Sequence, residues 1–64
     1  MNKYIRADFF KLKKGDIIYI KIGKEYIKSK VTSPPFWNSD SDEKGWEIKT
    51  NNGFCDIYSA YTKA

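Results

Sequence analysis

Histidine is absent from this chain of 64 residues, and cysteine and methionine each occur once. Without histidine, the commonest general base and metal ligand is missing. A lone Cys55 cannot close an intramolecular disulfide, and it has no histidine to join around zinc. Domains this short usually rely on such a staple, so here the apolar core must offset the entropy of ordering the backbone by itself. No apolar run is long enough to span a membrane, and Met1 to Phe10, which carries Lys3, Arg6 and Asp8, lacks the apolar stretch of a signal peptide. The expectation is a single domain over residues 1–64, located in the cytoplasm, with Cys55 as a small buried hydrophobe.

Glycine and proline are scarce as well, at four and two residues, and no glycine-rich phosphate loop is present. Catalysis needs a proton carrier or nucleophile held by an orienting partner, and the chain offers neither a Cys-His nor a Ser-His pair. A non-enzymatic protein without a cofactor is therefore expected. Asp16 and Asp56 fall at strand or turn positions, where a structural hydrogen bond is the usual role of an aspartate. Asn38, Asp40 and Asp42 alternate as the first ligands of a calcium loop do. Glu43 then stands where that loop turns on glycine, and Gly45 arrives late, so no metal is expected.

What the chain does contain is apolar and aromatic residues in short alternating runs, at 41% and 17% of the sequence. Asp16 to Ile22 and Glu25 to Ser33 are rich in β-formers and are separated by Gly23-Lys24, a two-residue turn with glycine first, as type II′ prefers. Registered on that turn, Ile22 faces Glu25, Ile20 faces Ile27, Ile18 faces Ser29 and Asp16 faces Val31 on the inward side. Lys21 and Tyr26, Tyr19 and Lys28, and Ile17 and Lys30 then pair on the outward side. A second hairpin is predicted from Trp46 to Asn51 and Phe54 to Tyr58 around Asn52-Gly53. Its register sets Ile48 against Ile57 inside, and Lys49 against Asp56 and Glu47 against Tyr58 outside. Trp46 shares parity with Ile48 and is assigned to the core. Pro34 to Gly45 reads as a long loop, Tyr4 to Phe10 as an edge strand or lead-in, and Tyr61 to Lys63 as a short closing strand.

Twelve Lys and Arg against eight Asp and Glu give a net charge of +4, which favours acidic partners. The outward hairpin face, with Tyr19, Lys21, Tyr26, Lys28 and Lys30, interleaves cations and rings as a nucleic-acid-binding surface does.

Leu12-Lys13-Lys14-Gly15-Asp16-Ile17-Ile18-Tyr19 resembles the diverging turn and following strand of SH3 domains. Gly45-Trp46-Glu47-Ile48 resembles their paired-tryptophan strand, Asn52-Gly53 their distal hairpin turn, and Tyr58-Ser59-Ala60-Tyr61 their 3₁₀ turn. The resemblance implies an all-β, five-stranded SH3-like barrel. It does not extend to the polyproline groove. The early loop is nearly absent, the groove tryptophan position is Gly45, the proline position is Tyr58, and of that set Tyr61 alone is kept. Gly15-Asp16 and Gly23-Lys24-Glu25-Tyr26 are similar to Tudor, chromo-barrel and KOW-type modules, which bind methylated side chains, nucleic acids or proteins. A barrel of this kind brings Phe36, Trp37, Tyr58 and Tyr61 to loop ends and the 3₁₀ turn. The leading expectation is a protein partner held by these four rings, with nucleic acid on the hairpin face as the alternative.

Overall fold

Tight turns set where each strand begins. In the computed structural model, which describes residues 3–39 and 45–64, Lys13 to Asp16 form the first of these turns. Gly15 takes φ +100° at its third position, as a type II turn requires. The Lys13 N–H donates to Asp16 Oδ2 at 3.0 Å and the Asp16 N–H to the Lys13 carbonyl at 3.1 Å. Asp16 therefore has the structural role expected of it. The next turn, Gly23-Lys24, has φ +61° at Gly23 alone, in keeping with type II′.

The described residues form β1 (Tyr4–Arg6), a 3₁₀ turn (Phe9–Lys11), β2 (Ile17–Ile22), β3 (Glu25–Lys30), β4 (Phe36–Asn38), β5 (Gly45–Thr50), β6 (Gly53–Asp56) and β7 (Ala60–Lys63). They assemble into two antiparallel sheets, a four-stranded one in the order β1-β7-β2-β3 and a three-stranded one in the order β4-β5-β6. The all-β expectation holds, but the five-stranded barrel does not: the described residues form seven strands, and the two sheets do not close. Where β3 leaves its sheet, Val31 makes an isolated bridge to Thr50, and the Thr32 N–H donates to the Lys49 carbonyl at 2.8 Å. Pro34 and Pro35 follow, neither with an N–H to carry the ladder on, and pairing along β5 resumes only at Phe36.

The first hairpin has the register read from its turn, from Ile17↔Lys30 to Ile22↔Glu25. It continues to Asp16 and Val31, where the Val31 N–H donates to the Asp16 carbonyl at 2.8 Å. The second hairpin departs from expectation by two residues. Thr50 faces Gly53 and Ile48 faces Cys55, so Asn51 and Asn52 are the central pair. A type I′ turn would need positive φ at both Asn52 and Gly53, whereas Gly53 alone has it, at +103°. Thr50 Oγ1 holds the turn, accepting from the Asn52 N–H at 3.0 Å and donating to the Gly53 carbonyl at 2.8 Å. A two-residue slip keeps each side chain on its own face. It nevertheless sets Glu47 opposite Asp56 and Lys49 opposite Phe54, not the pairs Lys49–Asp56 and Glu47–Tyr58.

Two further expectations are revised, and a third lies outside the described residues. The stretch from Pro34 to Gly45 is not all loop, since β4 pairs with β5 through Phe36↔Glu47, Trp37↔Trp46 and Asn38↔Gly45. Asp40 and Asp42 of the calcium-like alternation lie outside the described residues. The 3₁₀ turn sits at Phe9–Lys11 and not at Tyr58 to Tyr61. Residues 57–59 make a turn in which the Ser59 N–H reaches the Asp56 carbonyl at 3.2 Å, and Ala60 and Tyr61 belong to β7. β1 supplies the predicted edge strand, shortened to Tyr4–Arg6, and β7 the closing one.

Phe9, Ile18, Ile20, Val31, Ile48, Cys55 and Ala60 form the core, with Ala7, Leu12 and Ile57 packed against it. Two buried hydroxyls sit among them. Ser29 Oγ donates to the Ile27 carbonyl at 3.2 Å and accepts from Asn52 Nδ2 at 2.8 Å, and Thr50 is satisfied within its own turn. The sheets overlap over part of their inner faces only. Ile5, Ile22 and Ile27 have inward parity yet are 48%, 58% and 38% exposed. Trp46, expected in the core, is likewise 38% exposed. It shares the face of Ile48, but it lies two residues nearer the start of β5, where its neighbours are the rings of Phe10 and Trp37.

The Asn52 side chain joins the second hairpin to β3, donating to the Lys28 carbonyl at 3.2 Å as well as to Ser29. Substituting Asn52→Ala leaves the buried Ser29 hydroxyl short of a partner and should lower stability by about 1–2 kcal/mol. Urea unfolding followed by tryptophan fluorescence checks this, and an unchanged midpoint with an unchanged slope would refute it.

Candidate nucleic-acid interface

Strand alternation and register determine what the four-stranded sheet presents on its outward side. From β2 come Ile17, Tyr19 and Lys21, and from β3 come Tyr26, Lys28 and Lys30. The pairing of β7 with Tyr19 and with β1 adds Tyr61 and Lys63, then Tyr4 and Arg6. Ten outward positions thus carry four tyrosines, five cations, one isoleucine and no carboxylate. None of these five cations forms an ion pair with a described carboxylate; the described ion pair joins Lys11 to Asp8 at 3.4 Å.

The rings form a row. Tyr19 meets Tyr4 edge-on with centroids 5.2 Å apart, Tyr4 stacks on Tyr26 at 3.9 Å and 4°, and Tyr26 meets Tyr61 edge-on at 5.5 Å. Tyr4 and Tyr26 come from the two edge strands, so their stack bridges the sheet above its middle strands. An ammonium caps each end of the row, with Lys63 Nζ 5.1 Å from the centroid of Tyr19 and Lys21 Nζ 5.8 Å from that of Tyr61.

All five residues of the hairpin surface, Tyr19, Lys21, Tyr26, Lys28 and Lys30, therefore lie on one face. Sequence reasoning left Tyr4, Arg6 and Lys63 out of that surface and assigned Tyr61 to the other one. The available signal was the spacing Tyr4-x-Arg6 and Tyr61-x-Lys63, each a strand with one basic-aromatic side. Only the strand order reveals that these sides adjoin the hairpin.

The four residues of the protein-contact expectation fall into different groups. Phe36 meets Phe54 at 6.1 Å on the outward side of the three-stranded sheet. Trp37, its neighbour on β4, has the opposite parity and meets Trp46 at 5.8 Å. Tyr58 is 70% exposed, with the Arg6 guanidinium carbon 5.3 Å from its ring centroid. Tyr61 belongs to the tyrosine row. No ring contact joins any two of the four.

The outer face of the three-stranded sheet has a different electrostatic character. Glu47 and Asp56 sit across from each other there, with Lys49 beside them above the ring of Phe54. Asn38 Nδ2 donates to Glu47 Oε1 at 2.7 Å, and Asp56 Oδ1 accepts from the Tyr58 N–H at 3.0 Å. Asp56, like Asp16, has the expected structural role. Among the described residues no His, Cys, Asp and Glu group could hold a metal ion, and no helix is long and apolar enough to cross a membrane.

No protein-family model matches the chain, and neither a curated protein nor a solved structure matches it.

Cys55 is 2% exposed, and burial, followed by the charges of Asp56 and Glu47, pushes its thiol up from 9.0 to about 12. At neutral pH it is a thiol and a poor nucleophile. Because the folded value is raised, its contribution to stability is complete below pH 9 and is lost as pH rises toward about 12. Cys55→Ala should flatten the alkaline fall in stability relative to the parent chain over that window, with lysines and tyrosines common to both. Identical pH slopes, or rapid alkylation of native Cys55 by iodoacetamide at pH 7, would contradict this account.

Proposed function

We propose that this chain is a non-enzymatic, cytoplasmic binding module whose ligand is nucleic acid, held on the outward face of the four-stranded sheet. The observation that carries the reading is the composition of that face: four tyrosines and five cations with no carboxylate among ten positions. Cations concentrated on one surface attract a polyanion far better than the net charge of +4 implies. Rings among them supply contact area to bases and sugars at low entropic cost. Kinship with SH3-like modules is proposed as well, supported by the turn at Lys13–Asp16 followed by two hairpins in the order the resemblance implies.

A second reading, contact with a protein, has its own support where the 3₁₀ turn meets the three-stranded sheet. Phe10, Trp37 and Trp46 form a chain of edge-on rings and are 58%, 54% and 38% exposed. Exposed aromatic groups of this size are characteristic of interaction surfaces.

A salt titration decides between the two. If all five cations neutralise phosphates, the logarithm of affinity for a single strand should fall against the logarithm of salt with a slope of about −3.5. Lys28→Glu should weaken binding and make the slope shallower, while Trp37→Ala should leave both unchanged. The nucleic-acid reading fails if DNA and RNA are not retained at low salt. It fails equally if Trp37→Ala, and not Lys28→Glu, abolishes retention.

A further inference from the structure

The tyrosine row distinguishes its members. Tyr4 and Tyr26 are stacked on each other almost in parallel, so each has one face already occupied. Their neighbours Tyr19 and Tyr61 meet that stack in inclined, edge-to-face pairs at 64° and 85°, and at the row's two ends Lys63 and Lys21 lie over their rings. An ammonium on a flexible four-carbon stem is readily displaced from a ring in water, where such a contact is weak. A displaced lysine is also free to meet a phosphate beside the ring it has left.

We infer that the ligand of this face is single-stranded, with Tyr19 and Tyr61 as base-stacking residues at opposite ends of the row and the Tyr4–Tyr26 stack as the rigid support between them. The inference rests on the nucleic-acid reading above and narrows it. Bases in a duplex are already stacked and present only their edges, so a row of rings gains nothing from them, whereas an unpaired base offers its whole face. A base that replaces Lys63 on Tyr19, or Lys21 on Tyr61, preserves the burial of the ring and turns the lysine toward the backbone. Lys28 and Lys30, on the edge strand beside Tyr26, extend the cationic track past the row. Apart from Arg6, the hydrogen-bonding groups at the ten outward positions are tyrosine hydroxyls and lysine ammoniums, which implies weak sequence preference.

Fluorescence anisotropy with labelled oligothymidine and oligouridine of about twelve nucleotides, a blunt duplex of the same length and polyglutamate of matched charge tests the inference. Both single strands should bind at least about tenfold more tightly than the duplex or polyglutamate, and the two single-strand arms report the choice between DNA and RNA. Tyr19→Leu and Tyr61→Leu should each lower single-strand affinity about tenfold and leave duplex binding unaltered. Tyr19→Phe and Tyr61→Phe, which keep the ring and are expected to fold, should retain affinity. Equal affinity for duplex and single strand, or for polyglutamate and single strand, would overturn the inference, as would folded leucine variants that bind like the parent chain. In those cases a steep salt dependence would still leave a purely electrostatic interface standing. Failure of every polyanion to bind at low salt would remove the interface itself.

Discussion

The structure depends on the place where one sheet hands over to the other. Among the described residues a single bridge, Val31 to Thr50, crosses that junction as strand pairing, and it is reinforced by the side chains of the hairpin turn beside it. Asn51 Oδ1 accepts from the Lys30 N–H at 2.9 Å, its own N–H donates to the Lys30 carbonyl at 3.0 Å, and Asn52 reaches Lys28 and Ser29. The two asparagines thereby satisfy much of the free edge of β3, which would otherwise offer unpaired groups to another chain. The same contacts hold Val31, Ile48 and Ile18, all fully buried, against one another at the centre of the core. With no disulfide, this junction and the apolar core of the described residues together hold the two sheets.

The outer faces of the two sheets differ in character. Glu47 and Asp56 are opposite each other on the three-stranded sheet, while the four-stranded sheet turns only cations and rings outward apart from Ile17. Like charges across a strand pair are unfavourable. Here Asn38 donates to Glu47 and the Tyr58 N–H to Asp56, which offsets part of that cost. The consequence is an electrostatically polarised small protein.

Much of this was legible in the sequence, for reasons that can be traced to particular residues. Gly23-Lys24 admits one hairpin geometry, and alternation from Ile17 to Lys30 then fixes which side chains go in and which go out. That is why six of the ten outward positions could be named from the hairpin alone. The second hairpin was misregistered because Asn52-Gly53 satisfies a local rule that the chain does not use. Asn52 is engaged with β3, 23 and 24 residues away in sequence, and no local preference encodes that contact. Trp46 was assigned to the core from parity, which gives the face of a strand but not how far the opposing sheet extends over it.

By itself, the sequence determined the all-β character, the first hairpin with its register, the buried Cys55 and the segregation of lysines and tyrosines on one side of that hairpin. These follow from turn chemistry and two-residue periodicity, which act over a few positions of the chain. Only the tertiary structure decided that the sheets remain two and unclosed, that β1 and β7 add Tyr4, Arg6, Tyr61 and Lys63 to the same face, and that four tyrosines from four strands line up in a single row. Strand order joins segments far apart in sequence, and it is chosen by which apolar faces can cover one another, a property of the whole chain that no local pattern carries.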